Sequence, residues 1–317
     1  MDTTPSPHAA SAPGKVILFG EHAVVYGRPA IAVPVTQIQA TATVEPAPPG
    51  SGLALVAPDL GTTTRLATSP QEEPLAAAAR LTLAYLSAPE PDATLTVRST
   101  VPMARGLGSG TAVSTALVRA LAGFLGHPLE PAEVSALVFE VEKIHHGTPS
   151  GVDNTVVAYG QPVYFVRGYP VERLAVRAPF TLLIGDTGTR GSTREIVERV
   201  CRAWQRNPAR YDALFDQVGD VVTEARRAIE AGDTDALGPL MDDNHTLLTE
   251  LRVSSAKLDR LVEAARFAGA LGAKLSGAGR GGNMVALVEE EYVEEVAEAL
   301  REAGAVGVIR TTIPTTD

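Results

Sequence analysis

The stretch from Pro102 to Ala112 reads Pro-Met-Ala-Arg-Gly-Leu-Gly-Ser-Gly-Thr-Ala. It sets three glycines (Gly106, Gly108, Gly110) and two hydroxyls (Ser109, Thr111) directly before an apolar pattern of helical spacing, Val113, Leu117, Ala120, Leu121 and Phe124. A glycine-rich loop feeding a helix turns several backbone N–H groups onto one small volume, and the helix N terminus adds a partial positive charge there. The fitting ligand is a phosphate. The same composition also serves an ordinary turn before a helix, and the rest of the chain has to decide between the two.

At 317 residues the chain has room for one large domain or two closely packed ones, with a sizeable core. Its 27 Lys and Arg against 37 Asp and Glu leave a net charge of −10, which argues against a nucleic-acid partner or an acidic membrane surface. An anionic substrate therefore needs a locally basic pocket. The single cysteine, Cys201, has no partner for an internal disulfide, and no charged-then-apolar leader precedes the first strand-like segment. A reduced, cytoplasmic setting is expected. No apolar run approaches the roughly 20 residues of a membrane-spanning helix. Residues 1–10, rich in Thr, Pro, Ser and Ala, read as a frayed terminus.

Along the chain, Ala12-Pro-Gly-Lys-Val-Ile-Leu-Phe-Gly-Glu-His puts a Pro-Gly turn before a short apolar run and sets Lys15, Glu21 and His22 around it. Packing alone does not call for a lysine beside a buried strand. Residues 30–45 alternate as one or two strands, 74–86 form a helix with Leu75, Ala79, Leu83 and Leu86 on one face, and 94–99 form a strand leading into the glycine loop. Pro131 opens a helix whose apolar stripe is Val134, Leu137, Val138, Val141 and Ile144. Glu142 sits roughly 100° from the centre of that stripe, at the core's margin. A second glycine-bearing turn ends in Asp153 and Asn154, and 156–159 with 162–166 read as a strand hairpin through Gly160-Gln161. Residues 170–179 read as a linker, which places a domain boundary near 180 and gives domains 1–179 and 180–317. Beyond it come a strand at 180–185, helices at 194–206, 211–231, 234–251 and 255–268, a strand start at 273–275, a strand at 284–288, a helix near 290–303 and a strand at 306–310. Strands followed by helices in each half make the fold class α+β.

Ser276-Gly-Ala-Gly-Arg-Gly-Gly contains a G-x-G-x-x-G, but a strand follows it, and a dinucleotide site needs a helix there. The chain has no H-R-D or D-F-G, and Ala9 stands where a P-loop ending at Gly14-Lys15 needs a glycine. The adjacent His145 and His146 point in different directions on a helix and have no second cluster to match. Asp153 alone is compatible with simple turn formation, and Glu142 alone with a solvated helix face. Together the parts are more specific. A phosphate loop, an acidic residue for a divalent cation, an Asp to take a hydroxyl proton and a Lys for developing negative charge are the requirements of phosphoryl transfer from ATP. Mg²⁺ needs only a carboxylate and a hydroxyl beside its own waters.

Three segments resemble the GHMP kinase superfamily: residues 12–27, residues 102–112 and Lys274-Leu-Ser-Gly-Ala-Gly-Arg-Gly-Gly. Within it, the first is similar to the mevalonate kinase family, since galactokinases usually carry Arg at the place of Lys15 and Thr-Asp where this chain has Ala23-Val24. His146-Gly-Thr-Pro-Ser-Gly-Val-Asp and Asp186-Thr-Gly-Thr-Arg-Gly-Ser-Thr resemble the same family. The resemblance implies a GHMP kinase fold, with an N-terminal ATP-binding domain like domain 2 of ribosomal protein S5, a helix-rich C-terminal α+β domain, and the site in the cleft between them. It implies transfer of the ATP γ-phosphoryl group to the C5 hydroxyl of mevalonate, with Mg²⁺, in a homodimer. It makes Asp153 the base, Lys15 the residue that pairs with it and steadies the reacting oxygen, and Glu142 the Mg²⁺ ligand. Glu21 and His22 fall near the mevalonate, and Pro102, Ala104, Arg105, Gly106, Leu107, Gly108, Ser109, Gly110 and Thr111 around the ATP phosphates.

Two departures stand out. The family loop usually reads Gly-Leu-Gly-Ser-Ser-Ala, with the second serine on magnesium, and this chain has Gly110 there; Ser109, Thr111 or a water is left to fill that place. Arg280 stands where glycine is common, directed either at the phosphates or at solvent. The rivals are a sibling kinase acting on phosphomevalonate, a sugar or the C3 hydroxyl of mevalonate, and a non-catalytic sensor of ATP or mevalonate. A sensor has no need of a base.

Overall fold

The computed structural model describes residues 6–103, 105–146, 149–189 and 191–316, apart from the side chains of 145 and 146. The chain divides into two compact units. The first comprises the stretch through Gly14, Val35–Met103 and Gly108–Gly160. Its elements are parts of β1 (His8–Phe19) and β2 (Ala30–Pro46), then β3 (Leu53–Ala57), β4 (Thr62–Arg65), α1 (Pro74–Leu86), β5 (Ala93–Ser99), α2 (Ser109–Phe124), α3 (Pro131–His146) and α4 (Val152–Tyr159). The strands lie in the order β4-β3-β5-β2, with β1 also paired to β2. The alternation expected of a half-buried sheet is present: Ala40, Ala42 and Val44 of β2 are buried while Gln39 and Thr41 are exposed. The helices pack on one another around Val118, Val134, Leu137, Val138 and Ala158. Pro74 opens α1 after Glu73, whose carboxylate accepts from the Ala76 amide at 2.6 Å.

Two expectations fail in this unit. β1 begins at His8, so residues 8–10 are not frayed and Pro13-Gly14 lies inside a strand. β1 pairs with β2, and Arg119 donates to the Ser11 carbonyl at 2.9 Å. Residues 156–159, expected as a strand, belong to helix α4. The valine-rich run has strand propensity, but Thr155 donates to the Gly151 carbonyl at 2.6 Å, and the Asn154 amide donates to the Ser135 carbonyl at 3.1 Å and hydroxyl at 2.9 Å. Burial of the helix against α2 and α3 outweighs the propensity.

The second unit comprises Lys15–Pro34, residues 105–107 and the stretch from Gln161 onward. There the first residues of β2 pair with β6 (Val163–Phe165), which pairs with β7 (Glu172–Arg173). The sequence continues through β8 (Phe180–Asp186), α5 (Thr193–Arg206), α6 (Pro208–Ala231), α7 (Leu237–Glu250), α8 (Ala256–Phe267), β9 (Gly272–Ser276), β10 (Asn283–Val288), α9 (Val293–Glu302) and β11 (Gly307–Ile313). β11-β8-β10-β9 form an antiparallel sheet against which α7, α8 and α9 pack. Helices α5 to α8 lie within a few residues of their expected spans. Ser192, Asn207 and Ser255 start three of them by accepting from amides of the first turn. Tyr26 stacks on Phe215 of α6 with ring centroids 4.1 Å apart. No helix among the described residues is long and apolar enough to cross a membrane.

Candidate active site

In the first unit, the chain enters α2 through Gly108, whose φ of +76° an L side chain adopts only under strain. The amides of Ser109, Gly110 and Thr111 occupy the first helical turn, where no carbonyl lies one turn earlier to receive them. That leaves an anion cradle of the kind the sequence suggested. Thr111 Oγ1 donates to Glu142 Oε1 of α3 at 2.5 Å, and both residues are buried. Glu142 is thus inside the unit rather than on a solvated face, whereas Ile144, assigned to the apolar stripe, is 45% exposed. Asp153 lies partly buried in the first turn of α4, where a carboxylate interacts favourably with the open amide end of the helix. The Asn154 contacts to Ser135 hold that turn against α3.

The Thr111 hydroxyl and the Glu142 carboxylate are hard oxygen donors side by side, a set that suits Mg²⁺. Gly110 is exposed, and a side chain built there meets nothing within 4 Å. Packing does not demand the glycine. Among the described residues there is no cluster of three or more His, Cys, Asp or Glu able to hold a metal. Ala104 lies outside the described residues, as do the side chains of His145 and His146.

In the second unit, the loop residues 105–107 are tied down three ways. Arg105 pairs with Asp186 at 3.0 Å, the Asn283 amide donates to the Arg105 carbonyl, and the Lys15 amide donates to the Leu107 carbonyl at 3.0 Å. The first and third sequence motifs meet here. Ser276 Oγ donates to the Ile17 carbonyl at 2.8 Å, His22 Nε2 donates to the Ala278 carbonyl at 2.9 Å, and Lys274 Nζ donates to Glu21 Oε1. Lys15, Glu21 and His22 are all buried. Burial pushes His22 below the ordinary imidazole range. Its contact to a carbonyl puts the proton of the neutral ring on Nε2. Burial pushes Glu21 up, opposed by Lys274 and Lys15, and pushes Lys274 down, opposed by Glu21.

His22 also has a φ of 62° and a ψ of −49°, a conformation rare for a side-chain-bearing residue. Arg280 has an exposed side chain that donates to the Arg252 carbonyl at 3.4 Å, and its amide donates to the Val253 carbonyl at 2.7 Å. Lys274, Asp186 and Asn283 were not among the expected site residues. Lys274 carried the same signal that singled out Lys15, a lysine within an apolar strand segment.

The family model described as the GHMP kinases N terminal domain matches residues 73–161, and the GHMP kinases C terminal model matches residues 225–306. A mevalonate kinase of Thermococcus sibiricus is 37% identical over 323 residues, covering 95% of this chain and 94% of that protein. The crystal structure of L. major mevalonate kinase in complex with R-mevalonate superposes with a TM-score of 0.85 at 30% identity, over 97% of this chain and 96% of that one. The Methanococcus jannaschii mevalonate kinase structure gives 0.83 at 27% identity, over 98% and 99%. Matched along nearly its whole length in both sequence and fold, the chain belongs to the mevalonate kinase family of the GHMP kinases.

Proposed function

We propose that the enzyme transfers the γ-phosphoryl group of ATP to the C5 hydroxyl of mevalonate, giving 5-phosphomevalonate. The observation that carries the reading is the buried Thr111–Glu142 contact at the open amide end of the glycine-loop helix, a hydroxyl and a carboxylate beside a phosphate cradle. Mevalonate as acceptor is supported by the family and by the L. major relative, which was solved with R-mevalonate.

The residues then divide the work. The amides of Ser109, Gly110 and Thr111 receive phosphate oxygens, and Pro102 through Gly108 shape the loop that presents them. Glu142 and Thr111 would hold Mg²⁺, which when bound with ATP neutralises charge on the phosphates. Asp153 accepts the hydroxyl proton as transfer proceeds, so the alcohol need not ionise beforehand. Lys15 supplies positive charge to the oxygens that gain negative charge. Glu21 accepts from, and His22 lies beside, the acceptor. A homodimer and a cytoplasmic location complete the reading.

The test is an acceptor screen with MgATP, scoring ADP release and locating the phosphate by NMR. Mevalonate is expected to give 5-phosphomevalonate. A preference for phosphomevalonate or a sugar, or phosphate on C3, would replace the reading with a sibling kinase. ATP binding without ADP release would leave a sensor.

Thr111, rather than Ser109, takes over the magnesium role of the family serine. Thr111→Ala is expected to raise the Mg²⁺ concentration for half-maximal turnover by about tenfold, and Ser109→Ala to leave it near wild type. Restoring the family serine by Gly110→Ser in the Thr111→Ala background should recover most of the loss, because the space at Gly110 is open. An Mg²⁺ dependence moved by Ser109→Ala, and not by Thr111→Ala, reverses the assignment.

A further inference from the structure

Glu21 is 1% exposed, and Lys274, on β9 opposite Val285 of the adjacent β10, is fully buried. Lys274 Nζ donates to Glu21 Oε1 and also to the Leu275 carbonyl, 2.8 Å away. The other carboxylate oxygen, Glu21 Oε2, is equally shut off from solvent and has no hydrogen-bond partner among the described residues. Two donors close to the pair in sequence are committed elsewhere: His22 Nε2 to the Ala278 carbonyl and Ser276 Oγ to the Ile17 carbonyl. Taking a carboxylate and an ammonium out of water costs several kcal/mol per ion, and the pair recovers this only when its remaining hydrogen-bonding capacity is met. A pair built for stability satisfies both oxygens. This one leaves an acceptor bare.

We propose that Lys274 is a positioning residue for the phosphoryl transfer: it clamps Oε1 of Glu21 so that Oε2 is presented, already oriented, to a hydroxyl of the acceptor alcohol. This rests on the reading of Glu21 as an acceptor-binding residue. A strand paired along its length, as β9 is with β10, holds the ammonium more firmly than a loop does, and a bare, buried carboxylate oxygen discriminates against any compound that lacks a hydroxyl at that place, because the oxygen then stays unpaired.

The charged groups facing Glu21 are Lys274 from β9 and Lys15 from β1. His245 of α7 lies near Lys274, but burial pushes it down to about 4, so it is neutral around pH 7. Burial raises the pKa of Glu21 and the two lysines oppose the rise. With Lys274 gone, burial is less opposed and Glu21 takes up its proton at a higher pH. Acceptor binding that needs the carboxylate is then lost earlier as pH falls.

The experiment is steady-state kinetics across pH for wild type, Lys274→Met, Lys274→Arg, Glu21→Gln and the Glu21→Gln/Lys274→Met pair. Lys274→Met is expected to raise KM for mevalonate by about tenfold or more, with KM for ATP within about twofold, and to move the acid limb of kcat/KM for mevalonate to higher pH. Lys274→Arg, which keeps the charge, stays closer to wild type in all three. The double variant is expected to be no worse than Glu21→Gln alone, since a lysine acting through Glu21 has nothing left to position. An unchanged mevalonate KM and acid limb in Lys274→Met, or additive losses in the double variant, would overturn the proposal. Where Lys274→Met does not fold, the double variant, which removes both buried charges, still decides by its comparison with Glu21→Gln. A wild type inactive on MgATP and mevalonate refutes the function; an active wild type with an indifferent Lys274 refutes only this role.

Discussion

Asp153→Asn is expected to lower kcat for mevalonate phosphorylation by about 10²–10⁴-fold, the usual contribution of a positioned proton acceptor. The substitution is close to isosteric, and contacts other than the carboxylate also hold the helix it sits in. α4 is started by Gly151 and held to α3 by Asn154, with Thr155 bonded back to Gly151. The thermal midpoint and the affinity for MgADP should therefore remain near wild type while turnover collapses, and calorimetry beside a coupled ADP assay separates the two. A kcat within about threefold of wild type, well short of a general-base effect, removes Asp153 from the reaction.

Glu142→Gln should be nearly as damaging, by a different route. Its side-chain oxygen can still accept from Thr111 Oγ1, so the buried contact between α2 and α3 survives while the negative charge is lost. Losing a carboxylate from a hard-oxygen metal site is expected to cut kcat by about 10²-fold and to raise the half-saturating Mg²⁺ concentration by about 10–100-fold. Titrating Mg²⁺ against ADP binding by calorimetry reads the same change with no chemistry involved. If turnover falls while the Mg²⁺ requirement of ADP binding stays at the wild-type value, Glu142 is a structural partner of Thr111 and the metal is held elsewhere.

Much of this architecture was legible in the residues because it depends on local rules. The glycines before Val113, the helical spacing of α1 and α3, and the strand after Gly282 each follow from periodicity and backbone freedom. The errors came where tertiary contacts overrode a local preference. The run 152–159 carries β-branched residues suited to a strand, yet it is a helix because α2 and α3 bury it. Glu142, placed at the core's margin by the helical wheel and compatible on its own with a solvated face, is buried with Thr111 across from it. The Lys274–Glu21 pair joins residues 253 positions apart, a separation that no window of sequence spans. Arg105 pairs with Asp186, 81 positions further on, a carboxylate whose own surroundings gave no sign of the pairing.

The backbone of His22 has an evolutionary consequence. A histidine held at φ 62° and ψ −49° costs of order 1–3 kcal/mol, and glycine would relieve the strain at once. The buried imidazole and its bond to the Ala278 carbonyl offset part of that cost, and the remainder is stability margin given up to keep a histidine here. On the proposed reading of His22 as a residue beside the acceptor, position 22 is where backbone ease and retention of the side chain pull the sequence in opposite directions. A descendant of this chain released from its metabolic duty would be expected to betray the change first at that residue.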